Sequence, residues 1–155
     1  MEELMRLGGA ARGKVFLELG SGDGRNLLLA SAMGMHAVGY ERSPILVGLG
    51  RARAALSRGG SEGGSVEIVR ADFMEALSRR VGADLIFAYL SDEAMEKLAP
   101  RLSCAFGGTA RTVVLVSRDF AVPGWGERER VQRGKSLLLA YTVPPPPPGA
   151  HCEAG

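Results

Sequence analysis

An α/β fold, with a mostly parallel sheet covered by helices on both faces and finished by an antiparallel hairpin, is what the chain predicts. Three observations carry this. Strand-length apolar runs alternate with helical patterns along most of the sequence. The run "ADLIFAYL" at residues 83–90 is apolar almost throughout, as a strand buried on both faces requires. The last patterned stretch reads as two strands joined by a tight turn, a connection that only antiparallel neighbours allow.

The elements follow in order. "MEELMRLGG" reads as a short helix, and Val15–Leu19 ("VFLEL") as a short apolar strand. "RNLLLASAM" suits a helix stopped by Gly34, glycine being the usual residue just past a helix end. His36–Glu41 ("HAVGYE") is a second strand. Ser43 and Pro44 then give a start signal, a hydroxyl cap followed by proline in the first helical position. That helix runs to about Ser57, with Leu46, Leu49, Ala52 and Leu56 near helical spacing. "RGGSEGG" at residues 58–64 reads as a flexible loop. "SVEIVRAD" is a third strand and "FMEALSRR" a short helix; residues 83–90 form the fourth strand. "SDEAMEKLAPRL" is an amphipathic helix capped by Ser91 or Asp92. "RTVVLVSRDF" is the fifth strand, and "ERERVQRGKSLLLAYTV" is a hairpin turning at residues 133–135. The arrangement is Rossmann-like. One domain spans residues 1–144, and residues 145–155 form a proline-rich disordered tail, either inert or a ligand for a proline-reading partner.

The totals bound the function. A chain of 155 residues makes one domain with one core. No apolar run approaches the roughly 20 residues needed to cross a bilayer, so a soluble protein without a transmembrane segment is expected. The formal charge of +2 leaves no bulk footprint for nucleic acid. Arginines cluster at Arg51, Arg53 and Arg58 and at Arg128, Arg130 and Arg133, with Glu127 and Glu129 among the second group. Cys104 and Cys152 stand far apart, and with His36 and His151 they suggest neither a disulfide framework nor a metal site. A reducing compartment fits that usage, and no signal or transit peptide is visible.

The chemistry concentrates after the first strand, in "LELGSGDGR". A dinucleotide fingerprint needs a third glycine three residues after the second, but those positions hold Arg25 and Leu27. What stands here is an acid followed by alternate glycines: Glu18, then Gly20, Gly22 and Gly24. Without Cβ atoms such a turn lets the backbone approach a ligand closely. Glu18 beside it and Asp23 within it disfavour a pyrophosphate and favour a cationic ligand. S-adenosylmethionine, with its ammonium and sulfonium, suits them. Glu41 ends the second strand, where a carboxylate takes both ribose hydroxyls or is a solvated strand-end charge. Asp72 after the third strand accepts from an adenine amino group or caps a helix, and Phe73 covers the ring edge or fills the core. In open sheets ligands bind beyond the carboxyl ends of the strands, and all three features lie at such ends.

The pattern resembles the class I S-adenosylmethionine-dependent methyltransferases. "LELGSGDGR", "AVGYERSPILV", "LIFAYLSDEAMEKLAPRL", "VVLVSRDFAVPGW" and "LLLAYTVP" are similar to one subgroup. It holds the mitochondrial protein-lysine methyltransferases that act on the ATP synthase c-subunit and the adenine nucleotide translocase, with small archaeal and bacterial relatives. The chain departs from it at Ser43-Pro44-Ile45, where Asn-Pro-Trp is usual. The resemblance implies that Glu18, Gly20, Gly22 and Asp23 hold the methionine part of the cofactor, with Ser21 and Gly24 also cofactor-binding, and Glu41 the ribose. Asp72 and Phe73 would frame the adenine. Tyr89 would line the methyl-transfer pocket, with a buried aromatic as its bland reading. Asp119 and Trp125 would shape the mouth where a lysine enters, though Trp125 serves equally as a core plug. The resemblance also implies a protein substrate presenting a lysine, a monomer, and a mitochondrial setting; a cytoplasm fits the composition as well.

Other functions stay open. A base-methylating enzyme would carry an (Asn/Asp)-Pro-Pro-aromatic motif after the fourth strand to grip a flipped base, where this chain has "AYLSDE". A small-molecule methyltransferase remains an alternative, as does a truncated, cofactor-binding protein without activity.

Overall fold

In the computed structural model, residues 1–57, 63–77 and 82–152 are described. The loop expected at residues 58–64 falls largely outside them, as do the end of "FMEALSRR" and the last three residues. The elements run α1 (Glu2–Leu7), β1 (Val15–Leu19), α2 (Arg25–Ala32), β2 (His36–Glu41), α3 (Pro44–Ser57), β3 (Ser65–Arg70), α4 (Phe73–Ala76), β4 (Leu85–Ala88), α5 (Asp92–Phe106), β5 (Val114–Arg118), β6 (Glu129–Arg133) and β7 (Ser136–Thr142). The strands form one seven-stranded sheet in the order β3-β2-β1-β4-β5-β7-β6. β1 to β5 are parallel, and β7 lies antiparallel between β5 and β6. The expected hairpin is there, with its second strand inside the sheet and its first at the edge.

Register explains how the two faces are covered. Phe16 pairs with Leu85 and Leu85 with Val114, while Leu17 pairs with Ile86 and Ile86 with Leu115. Side chains alternate along a strand, so the first set packs with α1, α2 and α3 through Leu4, Leu27, Ala30 and Val47. The second set packs with α4 and α5 through Ala76, Met95, Leu98 and Leu102. In α5, Met95, Leu98, Ala99, Leu102 and Phe106 are buried at helical spacing. Ser91 caps it by accepting from the Ala94 amide at 3.4 Å. The helix continues through Pro100 to Phe106, four residues beyond its expected end.

One expectation is corrected. Cys104 and Cys152 are joined in a disulfide across 48 residues, with Cα atoms 5.3 Å apart. The cause is the path of the chain after β7. The Val143 amide donates to the Val113 carbonyl at 2.9 Å, and the Pro144 carbonyl lies so close to Gly107 that no Cβ fits there. The proline run is thereby laid back across the end of α5, bringing Cys152 to Cys104. Sequence separation concealed this proximity. Among the described residues no helix is long and apolar enough to cross a membrane.

Candidate active site

The glycine turn links β1 to α2. Gly20, Gly22 and Gly24 have φ of 82°, 54° and 77°, the left-handed region that a Cβ penalises and glycine does not. The Tyr40 carbonyl accepts from both the Gly20 amide at 3.0 Å and the Ser21 amide at 2.9 Å, tying the turn to the end of β2. Glu41 extends the tie. Its Oε2 accepts from the Gly22 amide at 2.9 Å and its Oε1 from the Ser43 amide at 2.8 Å. One carboxylate thus fixes both the turn and the start of α3. A Cβ built at Gly22 would meet nothing within 4 Å, so this side of the turn is open.

Glu18 alternates onto the α2 side of β1 and is 4% exposed. Its Oε1 accepts from Asn26 Nδ2 at 2.6 Å, but its Oε2 has no hydrogen-bond partner, nor has the buried Ser21 Oγ. Burial pushes the Glu18 carboxyl up to about 8, against the pull of the Asn26 hydrogen bond and with a small push from Asp23. Buried polar atoms without partners are rare in folded proteins, and two at one turn mark a place shaped for a ligand.

Asp23 is differently engaged. Its carboxylate accepts from Arg25 Nε at 2.8 Å and from Arg53. Desolvation pushes it up, but these hydrogen bonds prevail and hold it below the usual carboxylate range. Asp23 therefore joins the turn to α3. Asp72 caps α4, its Oδ1 accepting from the Met74 amide at 2.9 Å, while its Oδ2 lies 3.7 Å from Arg42. Phe73 is half-buried against the core on the α5 side.

The remaining sequence-predicted residues lie at the ends of β4 and β5. Tyr89 follows β4 and is 55% exposed, so it is no buried aromatic. Its ring lies 6.2 Å from that of Phe120, and the Arg118 guanidinium sits over it at 4.9 Å from the centroid. Asp119 has φ 64°. Its amide donates to the Leu137 carbonyl and its Oδ1 accepts from the Leu137 amide, both at 2.7 Å. Trp125 meets Tyr141 edge-on at 6.1 Å, and the Tyr141 hydroxyl accepts from the Val122 amide at 3.2 Å. Tyr89 and Asp119 thus meet through Arg118, while Trp125 packs against the core behind them. The sequence reading missed Asn26, Arg118 and Gly39, the β2 residue against which Ser21 packs. Asn26 carries a signal, a polar side chain opening a helix after a buried acid. Gly39 carries one in hindsight, a glycine within a strand. Arg118 has none.

The family model of the ANTKMT methyltransferase domain matches residues 18–129. The chain is 34% identical over 128 residues to the adenine nucleotide translocase lysine N-methyltransferase of Mus musculus, taking in 82% of this chain and 52% of that protein. It spans about half the length of that curated relative. Among solved structures, an RNA methyltransferase from Salinibacter ruber in complex with S-adenosyl-L-homocysteine is similar at TM-score 0.81 and 28% identity, over 96% of this chain and 93% of that one. The precorrin-6y C5,15-methyltransferase of Geobacter metallireducens shares the fold at TM-score 0.69 and 14% identity, over 92% of this chain and 86% of that one. The matched region runs from Glu18 through the glycine turn and all five parallel strand ends to the start of β6, and the chain belongs to the ANTKMT methyltransferase domain family.

Proposed function

We propose that the protein uses S-adenosylmethionine to methylate the ε-amino group of a protein lysine. The observation that carries the cofactor is the pair of unpartnered buried oxygens, Glu18 Oε2 and Ser21 Oγ, beneath a glycine turn that is open at Gly22. The free Glu18 oxygen suits an ammonium, which would donate to it. Each Glu41 oxygen accepts one amide and keeps lone-pair capacity for the ribose hydroxyls. Asp72 Oδ2, which has Arg42 at 3.7 Å, would accept from the adenine amino group, and Phe73 would support the ring edge. Gly20 and Gly22 give the backbone close approach, and Asp23 holds the turn against α3.

When bound, the cofactor supplies a methyl group activated by its sulfonium. The protein aligns the acceptor and removes water from it. A free lysine at pH 7 loses its proton at a cost of roughly 4–5 kcal/mol, from a pKa near 10.4 at 1.36 kcal/mol per unit. Desolvation beside a positive charge offsets part of this. The Tyr89 hydroxyl orients the amine, Asp119 accepts from the arriving ammonium, and Trp125 backs the wall of the mouth. Support for lysine comes from the mouse relative, whose name states a lysine substrate. A mitochondrial setting belongs to the same reading and rests on the sequence resemblance, with a cytoplasm as its alternative.

A second reading has one specific observation behind it. The Salinibacter ruber protein is named as an RNA methyltransferase and matches nearly end to end. Two experiments test these readings. Calorimetry should give micromolar binding of S-adenosylmethionine, weakened at least tenfold by Glu41→Ala; no binding by the unaltered chain would withdraw the cofactor assignment. Transfer of labelled methyl to protein that resists ribonuclease and yields methyllysine on hydrolysis supports lysine, whereas label lost to ribonuclease establishes RNA.

A further inference from the structure

The ends of β4 and β5 hold a charged side chain in an unusual place. Arg118, the last residue of β5 and 44% exposed along its side chain, lies with its guanidinium 4.9 Å above the Tyr89 ring. Its Nε is 3.3 Å from Asp119 Oδ2, and its Nη2 donates to Ser136 Oγ at 2.7 Å. Asp119 is the one non-glycine residue with positive φ among those described. Such backbone strain concentrates where a side chain must be held in a set direction. Here the Leu137 amide takes Oδ1, and the amide of Asp119 is bound in return. Oδ2 is left facing the Tyr89 ring's occupant.

The Tyr89 face, which already carries a guanidinium, and the fixed carboxylate oxygen beside it form a binding site for a cation. It stands at the carboxyl ends of two parallel strands, where sheets of this kind take their ligands. We propose that this is the entry site for the acceptor's ammonium, that Arg118 occupies it in the resting protein, and that displacement of Arg118 sets acceptor affinity and specificity. This rests on the lysine reading above. Arg118 screens the site because an incoming cation must outbid a tethered one. Ser136 Oγ, bonded to Nη2 from the β7 side, helps hold the guanidinium over the ring in the resting protein. Neutral groups gain nothing from the exchange, and a strongly held ammonium on a docked protein segment gains most.

The test uses the full chain and n-butylammonium as a lysine side-chain probe, with n-pentanol as the uncharged control, read by shifts of the Tyr89 ring resonances. Arg118→Gln should bind butylammonium about tenfold more tightly than the unaltered chain, a difference of about 1.4 kcal/mol. Arg118→Lys, which keeps the charge, should stay within about twofold. Adding Asp119→Asn to Arg118→Gln should abolish the gain, since asparagine tolerates positive φ but presents no charge. Pentanol should shift nothing. With a lysine peptide as acceptor, Arg118→Gln should lower KM about tenfold. Equal butylammonium affinity in the unaltered chain and Arg118→Gln overturns the proposal, as does a KM that rises while kcat falls, which would make Arg118 a clip holding Tyr89. Tighter butylammonium binding with no lysine methylation by either protein keeps the cation site and removes the lysine reading instead.

Discussion

A carboxyl group taken out of water without a full set of partners is stable only when it keeps its proton, and Glu18 is such a group. Its folded value near 8 stands above the ordinary 4.5 because burial disfavours the charge. A raised carboxyl value means that the folded state holds the proton more tightly than the unfolded chain. This favourable contribution is full below about pH 4.5 and is lost as pH rises through 8. Glu18→Gln should therefore melt level with the unaltered chain near pH 5 and above it at pH 8, by roughly 2–4 kcal/mol at 1.36 kcal/mol per unit. Parallel melting of the two proteins across that range would refute the burial account. The same variant should lose cofactor affinity. In the unaltered protein at pH 7, arrival of an ammonium beside Oε2 should expel the proton, so the calorimetric heat should vary with buffer ionisation enthalpy. Glu18 and Glu41 were legible because an acid beside a glycine turn, or at a strand end, is a chemical pattern in the sequence. The engagement of Asp23 was not, because its partner Arg53 lies thirty residues away in α3.

The turn keeps its shape because of glycines outside it. A Cβ at Gly39 in β2 would lie 2.5 Å from Ser21 Cβ and 2.6 Å from Leu27 Cδ1. Gly39→Ala should therefore push the turn off β2, destabilising the protein by about 1–3 kcal/mol and weakening cofactor binding with it. Gly48 in α3 is the internal control. A Cβ there meets nothing within 4 Å, so Gly48→Ala should stabilise by about 0.5–1 kcal/mol through helix propensity alone. Urea unfolding of the pair measures both, and a loss at Gly48 equal to that at Gly39 would remove the packing argument. At this scale the five parallel strands were readable, because apolar runs and helical spacing are local signals. The place of β7 was not. A hairpin tells which strands pair, but only the match of Val114 to Thr142 and Arg118 to Leu138 decides which strand joins the sheet first. The length of α5 was likewise hidden. Proline disfavours a helix interior, yet Leu102 and Phe106 are buried beyond it, and their packing outweighs that local preference.

Over the whole molecule the two ends of the sheet have separate tasks. The glycine turn, Glu41, Asp72, Tyr89 and Asp119 lie at the carboxyl ends of β1 to β5. The disulfide lies at the opposite end, because α5 runs back from the end of β4 and β7 finishes beside Val114, where β5 begins. No sequence signal paired those cysteines, since their meeting depends on the path of the whole C-terminal third. The bond encloses α5 after Cys104, β5, β6, β7 and the proline run, a span of 48 residues. Closing a loop of that size removes chain entropy from the unfolded state, a stabilisation of about 2–4 kcal/mol. For a chain this long each kcal/mol moves Tm by about 2–4 °C. Cys104→Ser should therefore melt about 5–15 °C lower, and reduction of the unaltered chain should reproduce the shift. Affinity for S-adenosylmethionine well below Tm should stay the same, because the bond touches nothing at the turn. Coupled loss of affinity and stability would show instead that the C-terminal segment supports the site through the sheet, with the antiparallel pair of β5 and β7 as the connecting element.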